Sequence, residues 1–222
     1  IEGSYPLSVV IDIESQTTVD ALIPVSKRIN GIVGLLLGEG AKASSITRII
    51  TEINDRLVRK IIEIAEERFG EPPVPYCWMV FGSEGRKEQT FKTDQDNALI
   101  YADPASAAEE QAAQEYFRSF TQFVRDGLLK CGFPPCPADF MATNPMWRLP
   151  LHVWRKYFTN WISTPTSEAV LNSVTFFDFR AVYGEDKLLD WLKDFTLSMA
   201  KDNKIFLGYL ANMAIKNTPP IG

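Results

Sequence analysis

The sequence predicts an α+β fold: a small mixed β-sheet flanked by an N-terminal helical hairpin and a C-terminal helical bundle. Three observations lead there. Apolar residues recur at three-and-four spacing both before residue 70 and after residue 150. Two short apolar runs, residues 77–81 and 98–101, sit between those helical stretches and have the length and bounds of strands. A long amphipathic segment then follows the second run, giving the order β-turn-β-α-β between two helical regions.

Residues 1–16 read as a linker or the tail of an upstream domain, with a short extended run at 7–13. The chain opens Ile1-Glu2-Gly3-Ser4 without an initiator Met, so it reads as an excised piece of a longer protein. Residues 17–75 form an N-terminal helical region. Thr17 and Asp20 make a capping box ahead of the stripe Leu22, Val25, Ile29, Ile32, Val33, Leu36 and Leu37. Gly38-Glu39-Gly40 ends that helix. Ser44 or Ser45 caps a longer one, whose Ile46, Ile49, Ile50, Ile53, Leu57, Ile61 and Ile64 keep the helical spacing until Gly70 and the prolines at 72, 73 and 75. The two pair antiparallel as a packing element.

Residues 76–150 hold the sheet. A turn from Ser83 to Thr93 joins the two strands, and Asp103-Pro104 opens a helix as N-cap and first residue. Its stripe Tyr116, Phe117, Phe120, Phe123, Val124 and Leu128 runs to Cys131-Gly132. Pro134-Pro135-Cys136-Pro137 is a rigid connector, and residues 138–142 read as a short third strand. Residues 151–222 read as helical, with helices over 151–162, 167–183, 186–199 and 203–215. Trp147, Trp154 and Trp161 repeat every seven residues, which on a helix is one core-packing face. Arg180 is expected in a buried pair with Asp178 or a neighbouring acid inside the C-terminal bundle, and His152 in a surface or packing role.

Bulk properties narrow the function classes. The 222 residues are 45% hydrophobic, enough for one or two domains with a sizeable core. A net charge of −5 and a pI near 5.1 argue against nucleic acid as the partner. Three cysteines make no disulfide framework, and a single histidine argues against a Cys/His zinc site. A reduced, cytoplasmic compartment is the plain expectation. No apolar run approaches the ~20 residues of a membrane span, and residues 1–16 read without a signal-peptide pattern, so no membrane partner is expected.

The chemistry concentrates between residues 81 and 101. Side chains at i and i+2 of a strand share a face roughly 6–7 Å apart. Asp94 and Asp96 can thus aim both carboxylates at one hard divalent cation. The Gly82-Ser83 turn offers backbone N–H groups to an anion. Spacing excludes a P-loop and a dinucleotide fingerprint; Ala98 at the fifth ligand position excludes an EF-hand loop. Arg86 and Lys87 either grip phosphates or bond carboxylates and fix the turn, while Glu88 and Gln89 read as turn-stabilising.

Gly82-Ser83 followed by Asp94-x-Asp96 resembles the signature of the polymerase-β-like nucleotidyltransferase superfamily. The continuous string from Gly82 to Tyr101 resembles one branch of it, found beside CBS and cyclic-nucleotide-binding domains and related to the protein-PII uridylyltransferases. The resemblance continues through Met141-Ala142-Thr143-Asn144-Pro145-Met146-Trp147-Arg148, Trp154, Phe176-Phe177-Asp178-Phe179-Arg180 and Gly184, nearly the whole chain. It implies that Asp94 and Asp96 bind Mg²⁺ (or Mn²⁺) bridging an NTP triphosphate. It further implies that Gly82 and Ser83 hold the β/γ end, with Arg86 and Lys87 beside the nucleotide. Asp139 matches the third carboxylate, with Asp178 as the alternative. The implied activity is two-metal, in-line transfer of a nucleoside monophosphate to an acceptor hydroxyl, a protein being one candidate acceptor, in signal transduction. The rival implication is a nucleotide-sensing regulatory module without turnover.

Overall fold

The computed structural model describes residues 6–89, 94–164, 166, 169, 172 and 175–216. Turn residues 90–93, the first five residues of the expected linker and part of the 167–183 stretch lie outside the described residues. The expected extended run at 7–13 is a helix instead, α1 (Pro6–Glu14). Val9 and Ile13, four residues apart, are buried, whereas Leu7 and Ile11 face outward. Apolar residues on both faces hid the helical period. Helix α2 (Val19–Lys27) is capped by Thr18, one residue later than expected, through a 3.3 Å bond from the Ala21 N–H to its hydroxyl.

The first arm of the expected hairpin is split. Helix α3 (Ile29–Gly38) starts after Arg28, whose N–H reaches only three residues back, to the Val25 carbonyl at 3.1 Å. Arg28 also pairs with Asp12 of α1. The stretch Val19–Gly38 has 20 residues and a mean hydropathy of 1.3, long and apolar enough to cross a membrane by length and composition, contrary to expectation. Its Leu22, Val25, Ile29, Ile32 and Val33 are buried in the core. The second arm, α4 (Ala43–Phe69), is a single 27-residue helix containing neither glycine nor proline. Lys42 precedes it without a side-chain cap, so Ser44 and Ser45 lie inside its first turn.

Strand β1 (Tyr76–Val80) leads into the four-residue helical turn α5 (Gly82–Gly85), and β2 (Asn97–Tyr101) returns antiparallel. The register runs from Tyr76↔Tyr101 to Val80↔Asn97, which sets Phe81 and Gly82 beside Asp96. Helix α6 (Ala107–Lys130) is capped by Ser106 rather than Asp103. Asp103 instead accepts the His152 N–H at 2.8 Å and meets its imidazole at 2.9 Å. Residues 138–142 are not a strand. The Asp139 N–H bonds the Cys136 carbonyl at 3.0 Å, closing a turn that puts Asp139 at φ +57°. The third strand comes later: β3 (Arg148–Pro150) runs parallel to β2.

Helix α7 (Leu151–Ser163) follows. The expected helix over 167–183 ends early, because Arg180–Gly184 is strand β4, paired antiparallel with β1. The sheet order is therefore β3-β2-β1-β4, mixed as predicted. Helices α8 (Asp186–Ala200) and α9 (Lys204–Lys216) complete the described chain.

The sheet separates two cores by simple alternation. Tyr76, Trp78, Val80, Leu99 and Tyr101 pack with apolar residues of α1, α2, α4 and α6. Cys77, Met79, Ala98 and Ile100, with Phe81 just past the strand end, pack with α7, α8 and Phe176. Trp147, Trp154 and Trp161 all belong to this second cluster, but only the last two share helix α7; Trp147 precedes β3 in a short turn.

Candidate active site

Beyond β1 the backbone makes one unusual step. Phe81 is fully extended, Gly82 has φ +60°, and four residues then coil as α5. A Cβ at Gly82 would stand in ordinary contact, 3.5 Å from Asp96 Oδ2, so the turn lies against that carboxylate, and the positive φ is what favours glycine there. Phe81 donates its N–H to the Asp96 carbonyl at 3.3 Å, which fixes the turn against the approach to β2. The coil closes through Gly85 N–H to Phe81 O (3.1 Å), Arg86 N–H to Gly82 O (3.0 Å) and Glu88 N–H to Ser83 O (2.9 Å).

Distant elements clamp this turn. Arg180 donates Nε to the Glu84 carbonyl at 3.0 Å and binds Asp55 with both terminal nitrogens at 2.8 Å. Asn54 holds the buried Gln89 amide at 2.9 Å, giving Gln89 a turn-stabilising role. The expectation of an Arg180 pair inside the C-terminal bundle is thus corrected: its acid lies on α4. Asp178 is taken by Arg86, Nη1 to Oδ2 at 2.8 Å, and Arg86 Nε bonds Glu88 at 2.8 Å. Lys87, at φ +59°, lines a cavity of about 680 Å³ with Arg48, Ile49, Thr51 and Glu52.

On the other side, Gln95 is buried and anchors the strand approach. Its Nε2 donates to Phe133 O (2.9 Å) and Arg125 O (3.3 Å), and its N–H to Pro134 O (2.9 Å). The two aspartates expected on a strand lie just ahead of β2, either side of Gln95, which makes an isolated bridge to Pro135. One carboxylate oxygen of each, and the sulfur of Cys136, all lie within 4.8 Å of one another. Asp139 is not in this group; it is exposed, and its Oδ2 accepts a 3.0 Å bond from Asn144 Nδ2.

Burial raises the Asp96 carboxyl above its ordinary range; the Cys136 thiol partly offsets this, and the Asp94 charge adds to it. Burial likewise raises the Cys136 thiol. Glu84, at 4% exposure, is pushed well above the usual carboxyl value by burial first, then by Asp96 and Asp55, against the pull of Arg180. Two aspartates and a thiol at this separation suit a divalent cation. The turn opposite suits a phosphate.

Residues 27–168 match the family described as "Putative nucleotidyltransferase DUF294". The chain belongs to this family. The match covers well over half of the 222 residues and takes in the Gly82-Ser83 turn, both clustered aspartates and Cys136. No curated protein matches the chain. Within this nucleotidyltransferase-family domain, sequence reasoning singled out Asp94, Asp96, Gly82 and Ser83. It missed Cys136, Glu84 and Asp55. The three flanking prolines were the only local signal that Cys136 is held in place; Asp55 and Glu84 acquire their setting from Arg180, more than ninety residues away, and carried no signal.

Proposed function

We propose that this domain transfers a nucleoside monophosphate from an NTP to an acceptor hydroxyl. The observation that carries the reading is the approach of Gly82 to the Asp96 carboxylate, with Asp94 beside it. Mg²⁺ or Mn²⁺ at those aspartates would neutralise the triphosphate and the charge developing on the attacking and leaving oxygens. Asp94 and Asp96 orient the phosphate chain by holding that cation. The Gly82 backbone and the Ser83 N–H and hydroxyl receive its β/γ end, with Lys87 beside them. Arg86, engaged by Asp178 and Glu88, keeps the turn in shape rather than gripping phosphate.

The acceptor is a protein hydroxyl in this reading, by analogy with protein-PII uridylyltransferases. The setting is cytoplasmic signal transduction under upstream CBS or cyclic-nucleotide-binding domains. A second reading is a nucleotide-sensing module without turnover. The place of Asp139 outside the acidic pair favours it, since among the described residues no third carboxylate joins that cluster to help deprotonate an acceptor.

Labelled ATP, UTP, GTP and CTP, supplied with Mg²⁺ or Mn²⁺ and cell extract, separate the two. Transfer of label to a defined acceptor with release of pyrophosphate is the expected result. Saturable binding without release would establish sensing, and no binding of any nucleotide would refute both.

A further inference from the structure

The segment that carries Cys136 is positioned more tightly than a connector requires. Pro134 accepts the Gln95 N–H at 2.9 Å, and Pro135 bridges Gln95 in parallel fashion, so the chain runs alongside residues 94–96. Prolines on either side of Cys136 remove backbone freedom. The Cys136 carbonyl closes the turn onto the Asp139 N–H at 3.0 Å, at the cost of a left-handed Asp139. That turn buries the thiol to 8% exposure and sets its sulfur within 4.8 Å of both aspartate oxygens. The same turn carries Asp139 outward to Asn144. A thiol therefore stands where the sequence led us to expect a carboxylate.

We propose that Cys136 is the third protein ligand of the cation held by Asp94 and Asp96, and that this site selects cations that accept sulfur, such as Co²⁺ or Zn²⁺, over Mg²⁺. The inference rests on the function proposed above and names the class of its metal. Two oxygens and one sulfur form a mixed donor set. Mg²⁺ takes oxygen ligands in a strict octahedron and gains little from a thiol. Borderline cations bind thiolate well, and coordination would release the thiol proton to solvent. Without a metal role, Cys136 would be a small buried residue bonded by the Phe140 and Ala138 backbone and donating weakly to Asp96.

Titration of the full chain with Co²⁺, read by near-ultraviolet absorption, tests this without any turnover assay. A saturable thiolate-to-cobalt charge-transfer band is expected. It should vanish in Cys136→Ser although Cys77 and Cys131 remain. Co²⁺ affinity, read by calorimetry, should fall about tenfold or more in that variant, with Mg²⁺ affinity nearly unchanged. Cys136→Asp should shift the preference back toward Mg²⁺. Circular dichroism checks that each variant is folded. Co²⁺ binding without the band, or an unchanged Co²⁺/Mg²⁺ ratio in both variants, overturns the role of Cys136 and leaves the nucleotidyltransferase reading standing, provided Asp94→Asn abolishes metal binding. Absence of any metal binding in the parent overturns both.

Discussion

Arg180, the first residue of β4, grips Asp55 in the middle of α4 through two parallel hydrogen bonds of 2.8 Å. Its third nitrogen holds the Glu84 carbonyl at 3.0 Å, so one guanidinium joins the edge strand, the longest helix and the candidate phosphate turn. The planar fork of arginine suits this three-way grip, and lysine could not reproduce it.

Both partners are largely buried, with 15% and 11% of their side chains exposed. Removing one leaves the other charge uncompensated. Asp55→Asn or Arg180→Gln should each destabilise the fold by about 3–5 kcal/mol, read from urea unfolding. The double variant should cost less than the sum of the two. Additive losses would mean that the residues do not act as a pair.

Gly85 tolerates no side chain where it stands. A Cβ there would lie 1.9 Å from the Asp178 carbonyl oxygen, so either the turn or the 176–179 segment must move. Gly85→Ala should lower stability by about 1–3 kcal/mol and weaken nucleotide binding together. Gly31, exposed on α3 with nothing within 4 Å of its would-be Cβ, is the control. Gly31→Ala should be neutral or stabilising by up to about 1 kcal/mol, because alanine favours the helix. Equal effects at both sites would contradict the packing assigned to Gly85.

Glu84 should leave a signature in the pH dependence of stability. Its folded-state pKa is raised well above the ordinary 4.5, chiefly by burial. Above that ordinary value the unfolded chain releases the proton while the folded chain keeps it. The folded state then binds more protons, so stability declines as pH rises until the folded pKa is passed. The decline is at most about 1.4 kcal/mol per pH unit from this one group. Asp96, shifted in the same direction, contributes likewise. Glu84→Gln should therefore flatten the slope above the ordinary carboxyl range and raise stability at neutral pH. An unchanged slope in denaturant titrations across that range would show that Glu84 ionises freely.

Phe176 sits at the centre of the second core, its ring centroid 4.4 Å from Phe81 and 4.7 Å from Trp147, and stacked on Trp161 at 5.6 Å. Phe81 immediately precedes Gly82, so this cluster also steadies the entry to the site. Phe176→Ala should cost about 3–5 kcal/mol and shift tryptophan emission to the red. A neutral substitution would mean the aromatic cluster contributes little.

Much of the frame was legible because it is local. Strands β1 and β2 announced themselves as short apolar runs, and the aromatic stripe of α6 kept its period from Tyr116 to Leu128. The i, i+2 spacing of Asp94 and Asp96 foretold that they would meet, although both stand just before β2 rather than on it. Non-local choices were not legible. Residues 180–184 adjoin a helix-like stretch with no breaker between them, and only pairing with β1 makes them a strand. Asp103-Pro104 looked like a helix start, yet its carboxylate caps α7, nearly fifty residues on. The placement of Cys136 was missed for a similar reason. Apolar neighbours around Asp139 suggested a strand, whereas a turn closing on the Cys136 carbonyl turns that acid outward and the thiol inward.

Calorimetric binding of a non-hydrolysable NTP, with and without Mn²⁺, to the parent, Asp94→Asn and Asp96→Asn chains tests the central claim most directly. The account predicts saturable, metal-dependent binding in the parent and its loss in both folded variants. Both variants binding the metal-nucleotide as tightly as the parent would contradict it.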